Sequence, residues 1–307
     1  MLVGRGELLE RAQGVLERAR AGAGSVLLVS GEAGVGKSRL LRSTLEAARS
    51  AGFLVLQGAC TETERSDPYA PLADLVRGFA TGTSAAVAAH AFAAAAPELL
   101  ALFPELHALF PEATPPSARD PEQDRRRLFQ ALSSTLRELS ETQPLLVIFE
   151  DVHWSDDATL DLVLHLARGL ATQRTVLALT YRSDEVGPRL ARLLAELDRT
   201  RLTTELELRP LSAEDVVAML HAIFGHAGVP GEGFVATLHE LTEGNPFFVE
   251  EVLKALVTAG ELARGDDGAW RAPAMDRVRV PRTAVEAVRR RLSGLSSSAR
   301  EVAAVAA

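Results

Sequence analysis

The chain has 307 residues, of which 24% are charged, with a formal net charge of −8 and a pI near 5.5. This length predicts a sizeable core and two domains with part of a third. The acidic balance disfavours a nucleic-acid-binding surface spread over the whole chain. The lone cysteine, Cys60, excludes a disulfide framework and a cysteine zinc site, as expected for a protein of the reducing cytosol.

No segment predicts membrane insertion. Arg5 and Glu7 interrupt the N-terminus, which therefore lacks the apolar core of a signal peptide. The longest apolar stretch, residues 85–103, contains Pro97 and Glu98 and is too polar to span a bilayer. We expect a cytoplasmic protein that has no membrane partner.

The first elements in the chain lead into a phosphate-binding loop. Apolar residues at helical spacing predict a helix over about residues 5–20, and the run of residues 26–29 predicts a buried strand. The motif G-x-x-x-x-G-K-[ST] follows, made of Gly31, Glu32, Ala33, Gly34, Val35, Gly36, Lys37 and Ser38. An amphipathic helix to about residue 50 comes next. The motif thus lies between a strand and a helix, where a nucleotide-binding loop is expected.

The residue types of this loop suit a nucleotide. Its glycines allow backbone N–H groups to turn towards phosphate oxygens, and the following helix N-terminus adds positive potential. Lys37 supplies a mobile charge for the outer phosphates, and the Ser38 hydroxyl is a natural magnesium ligand. Lysine occurs only at positions 37 and 254, which makes a chance match still less plausible. We therefore predict nucleotide binding.

Strands and helices alternate over the next part of the chain. Strands are predicted over residues 53–57, 145–149, 175–180 and 203–208, and helices over about 122–141, 156–168 and 189–198. Residues 59–71 predict a loop, and residues 69–111 an inserted helical segment that Pro97, Pro104 and Pro111 interrupt. The alternation predicts an α/β fold with a parallel sheet and helices on both faces.

Two acids and an arginine end two of these strands. Glu150 and Asp151 follow the apolar run of residues 145–149, and ligands of parallel sheets bind at the carboxyl edge. Glu150 ends the apolar run and is predicted to face Mg²⁺, which leaves Asp151 as the better candidate for general base, and the reverse division stays open. Both acids and Ser38 are thus candidate metal ligands. Arg182, just beyond the strand of residues 175–180, is a candidate sensor of the terminal phosphate. The alternative is a loop arginine that pairs with Asp184 or Glu185.

The last hundred residues do not continue the alternation of strands and helices. After Pro210 the strands give way to helices, whereas residues 261–271 favour a hairpin and helices follow over about 281–293 and from 296. The predicted domains are a nucleotide-binding α/β domain (1–210), a helical lid (211–260) and a partial third domain (261–307). The uncapped apolar C-terminus predicts a piece of a longer protein.

Several sequence features limit which ligands are expected. The Asn-Lys-x-Asp reader of guanine is absent, since Asn245 is the only asparagine and precedes Pro246, so adenine is the expected base. His153 and Trp154 are interpreted as packing residues of the loop after the acids. No His/Cys/Asp spacing matches a zinc site.

In order along the chain, several segments resemble the ATPase module of the STAND class within the AAA+ group, and especially large LuxR-type transcriptional regulators. They are residues 3–8, 31–38, 149–156 (Phe-Glu-Asp-Val-His-Trp-Ser-Asp), 180–182 and 244–251 (Gly-Asn-Pro-Phe-Phe-Val-Glu-Glu). The resemblance implies that Val3, Gly4 and Arg5 lie near the adenine, with Pro246 of the lid beside the base. It also implies that the region from about 261 begins a winged-helix-like domain. Many relatives have Asp at the position of Glu150.

The same resemblance implies a signal-transduction switch that binds ATP/ADP with Mg²⁺, hydrolyses ATP slowly and self-associates when nucleotide binds. Repeat and DNA-binding domains of such regulators would lie outside this segment, so no direct nucleic-acid binding is expected from it. Three alternatives remain open: a DNA-handling AAA+ ATPase of the origin-recognition type, a P-loop kinase for a small molecule, and a nucleotide-binding scaffold without turnover.

Overall fold

A computed structural model of the chain describes residues 2–63, 67–116, 120–225, 232–264 and 270–271. It contains two compact units. The sheet unit comprises Arg5–Ala33 and Lys37–Leu208, and the helical unit comprises Met1–Gly4, Gly34–Gly36 and the chain from Arg209. The partial third domain predicted over 261–307 lies mainly outside the described residues and stays a prediction, as do the helices predicted beyond residue 280.

A five-stranded parallel sheet forms the centre of the sheet unit. Its strands are β1 (Ser25–Gly31), β2 (Leu54–Ala59), β3 (Leu145–Glu150), β4 (Thr175–Tyr181) and β5 (Thr203–Leu208), in the spatial order β2-β3-β4-β1-β5. Every residue of β1 and β4 is buried, because helices cover both faces of these strands, which explains their unbroken apolar runs. The predicted P-loop NTPase fold is confirmed.

Eight α-helices surround this sheet in the described part of the unit. They are α1 (Gly6–Arg20), α2 (Lys37–Ser50), α3 (Ala70–Gly82), α4 (Ala85–Ala91), α5 (Ala96–Leu102), α6 (Pro121–Thr142), α7 (Asp157–Arg168) and α8 (Pro188–Arg199). The prolines of residues 69–111 interrupt the helical segment as predicted, since the chain breaks between α4 and α5 and again after α5. Pro97 and Pro104 lie in the first turns of α5 and of a 3₁₀ turn, where a missing backbone N–H costs nothing.

Two close approaches position the segment after β2 against the rest of the sheet unit. A Cβ added to Gly58 would lie 2.1 Å from the carbonyl oxygen of Pro71, so only glycine permits the close approach of α3 to β2. The backbone N–H of Tyr69 lies 3.3 Å from a carboxylate oxygen of Asp156. Asp156 is also the N-cap of α7 and accepts a 2.9 Å hydrogen bond from the Thr159 N–H.

Strand register brings three chain segments to one edge of the sheet. Val29 of β1 lies opposite Thr180 of β4, and Phe149 of β3 lies opposite Leu179. Since these strands are parallel neighbours, their carboxyl ends meet side by side. The phosphate-loop motif, the acid pair and the loop after β4 therefore begin at adjacent points.

The helical unit has its own apolar core. It contains α9 (Ala213–Phe224), α10 (Glu232–Thr242) and α11 (Pro246–Thr258), followed by the antiparallel strands β6 (Ala263–Arg264) and β7 (Trp270–Arg271). This pair confirms the hairpin predicted within residues 261–271. A reciprocal capping box between Ser212 and Asp215 begins α9, and the buried residues include Val216, Leu220, Leu238, Val249 and Val252.

Within the described ranges, no single helix has both the length and the apolarity needed to cross a membrane. The pair α4 and α5 meets the length and composition criteria only when taken together, and the chain bends by 104° between them.

Candidate functional site

The motif of residues 31–38 adopts the strand–turn–helix arrangement that the sequence predicts. Strand β1 ends at Gly31 and α2 begins at Lys37. Gly34 and Gly36 have φ values of +78° and +109°, a backbone conformation that glycine adopts without strain. The turn between strand and helix therefore depends on glycine at these two motif positions.

Lys37 is buried, with 8% of its surface exposed. Its ammonium donates hydrogen bonds to the carbonyl oxygens of Gly31, at 2.8 Å, and Glu32, at 2.9 Å. Burial lowers the pKa of Lys37, and the nearby Asp151 carboxylate opposes that shift. The lysine is thus folded back over the loop backbone, with its charge held where the loop turns.

Asp151 has an unusual backbone and a partly buried carboxyl group. Its φ of 53° and ψ of 44° lie in the left-handed region, which Asp and Asn tolerate better than most residues. Its N–H donates a 2.9 Å hydrogen bond to the Thr180 hydroxyl of β4. Burial raises the pKa of Asp151, while Lys37 and Arg182 act in the opposite direction. The carboxyl group is therefore within electrostatic reach of both cations.

Glu150 has a different neighbour from Asp151. The side-chain amide of Gln57, on the adjacent strand β2, donates a 2.5 Å hydrogen bond to Glu150 Oε1. The carboxylates that act on the pKa of Lys37 are instead Asp151, Asp184 and Glu185. The two acids thus have distinct surroundings, and sequence reasoning missed Gln57. The one sequence feature that could have indicated Gln57 was its position as a polar residue at the end of an apolar run.

Arg182 lies in the loop after β4. It forms an ion pair with Glu185, and its guanidinium carbon lies 4.7 Å from the centre of the Trp154 ring. Sequence reasoning treated Trp154 only as a packing residue. It named Glu185 only as one possible ion-pair partner of Arg182, and that pair is the one observed. The side chain of His153 is completely buried beside the same loop, which agrees with the packing role predicted for it.

The predicted site residues are divided between the units. The sheet unit holds Gly31, Glu32, Ala33, Lys37, Ser38, Glu150, Asp151 and Arg182, and also Arg5, which precedes α1. The helical unit holds Val3, Gly4, Gly34, Val35, Gly36 and Pro246. Val3 packs against the core of the helical unit, and Pro246 is the first residue of α11. Their predicted place beside an adenine stays a prediction.

The donor set fits a hard divalent cation bound together with a polyphosphate. No cluster of three or more metal-binding side chains occurs in the part of the chain that the structure describes. Mg²⁺ does not need one, because it is usually held by one or two carboxylates, water and substrate phosphates. The charges that act on Lys37 are those of one arginine and three carboxylates, so a polyphosphate without a cation would meet unfavourable negative charge.

Comparison with known proteins agrees with this geometry. Residues 1–180 match the AAA ATPase domain family. An uncharacterized protein of Rhizobium meliloti (strain 1021) is 28% identical over 244 residues, which are 76% of this chain and 23% of that protein. The chain therefore spans about a quarter of the length of the curated relative that it matches.

Similar folds occur among solved structures. The Aeropyrum pernix ORC2 protein aligns with a TM-score of 0.52 and 16% identity, over 93% of this chain and 68% of that one. A Walker-type ATPase of Pyrococcus abyssi aligns at 0.48 and 18%, over 84% and 69%. A STAND protein with a tetratricopeptide repeat sensor from Pyrococcus horikoshii aligns at 0.41 and 15%, over 82% and 30%. At an identity of 16%, the alignment with ORC2 shows a similar fold and not a shared function. We draw no conclusion from the two alignments with TM-scores below 0.5.

The match over residues 1–180 includes most of the central sheet. It also includes the phosphate-loop motif and the acid pair, which both begin at the carboxyl edge of that sheet. The family binds nucleotide together with a divalent metal. The chain belongs to the AAA ATPase domain family.

Proposed function

We propose that this chain is an ATP-binding and slowly ATP-hydrolysing switch module of the STAND class, part of a longer signalling protein similar to LuxR-type transcriptional regulators. One observation carries the proposal. The buried ammonium of Lys37 is held at the phosphate-loop backbone, with Asp151 and Arg182 within electrostatic reach. That arrangement suits an ion that is both highly charged and extended, as a nucleotide triphosphate is.

Each group has a role in this proposal. Lys37 binds the outer phosphates, and Ser38 with Glu150 and Asp151 would hold Mg²⁺, which neutralises phosphate charge. Asp151, with a pKa that burial raises, accepts the proton of the attacking water. Arg182 stabilises charge on the terminal phosphate. The reverse division of labour between the two acids predicts a different mutant pattern, described below.

ATP is the proposed nucleotide, because the chain lacks the Asn-Lys-x-Asp sequence that reads guanine. The resemblance to STAND proteins supports the proposal that Val3, Gly4, Arg5 and Pro246 lie near the adenine. A titration that compares ATP with GTP tests this choice, and equal affinity for the two would contradict it.

The first experiment measures equilibrium binding of Mg·ATP to wild-type protein and to Lys37→Ala. Loss of the buried ammonium should abolish measurable binding. Lys254→Ala is the matched control, since Lys254 is the only other lysine and its exposed side chain pairs with Glu251. Unchanged ATP affinity in Lys37→Ala, or equal loss in both variants, would contradict the proposed site.

The second experiment separates binding from turnover. Asp151→Asn should bind Mg·ATP but release no phosphate, whereas Glu150→Gln should weaken the Mg²⁺ dependence of binding. If the roles are reversed, Glu150→Gln will bind and fail to hydrolyse. Wild-type hydrolysis in Asp151→Asn would remove Asp151 from its proposed role, and transfer of phosphate to an acceptor other than water would favour a kinase.

The switch is tested by the size distribution of the protein with Mg·ATP and with Mg·ADP. Self-association that depends on the terminal phosphate would support a signalling switch. A DNA-handling ATPase of the origin-recognition type is the alternative, and it predicts DNA binding that weakens steeply with salt. The net charge of −8 argues against such binding by this segment.

A further inference from the structure

Arg182 is engaged on two sides. One terminal nitrogen of its guanidinium pairs with Glu185 Oε1, three residues along the same loop. The guanidinium also lies over the Trp154 ring, 4.7 Å from its centre. Only a quarter of the Arg182 side chain is exposed. The arginine that would read a terminal phosphate is therefore already held by a carboxylate and an aromatic face.

A buried histidine links this carboxylate to the second acid of the pair. Glu185 Oε2 lies 3.8 Å from His153 Nε2, and His153 Nδ1 lies 3.9 Å from Asp151 Oδ1. His153 is completely buried, so its ring gives Glu185 a fixed neighbour. A continuous line of side chains thus runs from Asp151 through His153 and Glu185 to Arg182.

We propose that Glu185 is a positioning residue that competes with the terminal phosphate of ATP for Arg182. This inference rests on the proposed function. Carboxylate and phosphate both bind a guanidinium through the same planar set of N–H donors. Two anions on one guanidinium also repel each other, so the terminal phosphate binds Arg182 at the expense of the pair with Glu185.

The competition should affect ATP and ADP differently. ADP has no terminal phosphate to offer, so Arg182 stays with Glu185 in its presence. ATP must displace Glu185, which lowers ATP affinity by the strength of the ion pair. For an ion pair whose side chains are 25% and 39% exposed, that strength corresponds to about a two- to fivefold change in affinity. Glu185 therefore sets how strongly the protein prefers ATP over ADP.

The test measures the affinities of a non-hydrolysable ATP analogue and of ADP for wild-type protein and Glu185→Gln by titration calorimetry. Glu185→Gln should bind the analogue about two- to fivefold more tightly and leave ADP affinity unchanged. In an Arg182→Gln background the same substitution should have no effect, because no guanidinium remains to be released.

Two variants serve as matched controls. Asp184→Asn removes an acid next to Glu185 that also acts on Lys37, so it reports the general effect of less negative charge. Glu196→Gln breaks an arginine–glutamate pair of the same three-residue spacing in α8, remote in sequence from the motif. Neither should change the ratio of the two affinities by as much as Glu185→Gln does.

The outcomes separate the two proposals. If the wild-type protein binds neither nucleotide, the proposed function fails and this inference fails with it. If it binds both and Glu185→Gln leaves the affinity ratio unchanged, only the competition is refuted. A Glu185→Gln effect that persists without Arg182, or that Asp184→Asn reproduces, would also overturn it, since bulk charge would then explain the result.

Discussion

Replacement of Gln57 by leucine should destabilise the protein through Glu150. The Gln57 amide donates a 2.5 Å hydrogen bond to the part-buried carboxylate of Glu150, and hydrogen bonds to charged groups contribute about 1.5–3 kcal/mol. Because water can partly replace the amide at this half-buried position, we expect a loss of about 1–2 kcal/mol in the free energy of unfolding. For a unit of this size, that loss lowers Tm by about 2–8 °C.

A double-mutant cycle isolates the contact. The free energy of unfolding is measured by urea titration for wild type, Gln57→Leu, Glu150→Leu and the double variant. The coupling energy between the two sites should be about 1 kcal/mol or more, since either single change removes the whole hydrogen bond.

Gln143→Leu is the matched control for this cycle. Gln143 also donates its side-chain amide, at 2.8 Å, but to the neutral carbonyl oxygen of Gly52 and on an exposed surface. Its replacement should cost less than about 0.5 kcal/mol. A coupling energy below about 0.3 kcal/mol, the level found for independent sites, would refute the reasoning. So would equal losses in Gln57→Leu and Gln143→Leu.

The remaining predictions concern backbone, charge, capping and metal. Asp151→Asn should raise the Tm of the nucleotide-free protein at pH 7, because burial raises the folded pKa of Asp151 above its unfolded value. The ionised form is then disfavoured, and the gain should vanish below both pKa values. Gly58→Ala should lower Tm, since its Cβ would lie 2.1 Å from a backbone carbonyl, whereas Gly78→Ala, in a helix with ordinary contacts, should raise it. Asp156→Ala should cost about 1–2 kcal/mol in urea titrations, more than removal of the exposed Ser84 cap. Chelation of Mg²⁺ with EDTA should weaken ATP binding at least about tenfold in fluorescence titrations.

The fold was predictable because its signals are local. The motif of residues 31–38 specifies a strand, a turn and a helix within 8 residues. Apolar runs such as residues 145–149 specify buried strands by length and composition alone. The breaks near positions 97 and 104 were also recognisable, because a proline can begin a helix but cannot continue one from the preceding turn.

The candidate site was predictable only in part. Glu150 and Asp151 were recognisable because they directly follow an apolar run. Gln57, by contrast, contacts Glu150 across 93 residues of chain. That contact depends on β2 lying next to β3, and alternation of strands and helices does not specify strand order. The left-handed backbone of Asp151 and its hydrogen bond from N–H to Thr180 also arise only after β3 and β4 pair.

The electrostatics of the site indicate why these side chains are arranged at a cost to stability. Burial disfavours the charge on Lys37 and also the charge on Asp151, and in both cases it outweighs the attraction between them. A structural ion pair would show the opposite balance, because partners that stabilise a fold favour each other's charged forms. Charges that the folded protein holds without full compensation are typical of sites that a charged ligand completes. Binding of a charged ligand should therefore stabilise the fold, because the ligand binds the folded protein and not the unfolded chain.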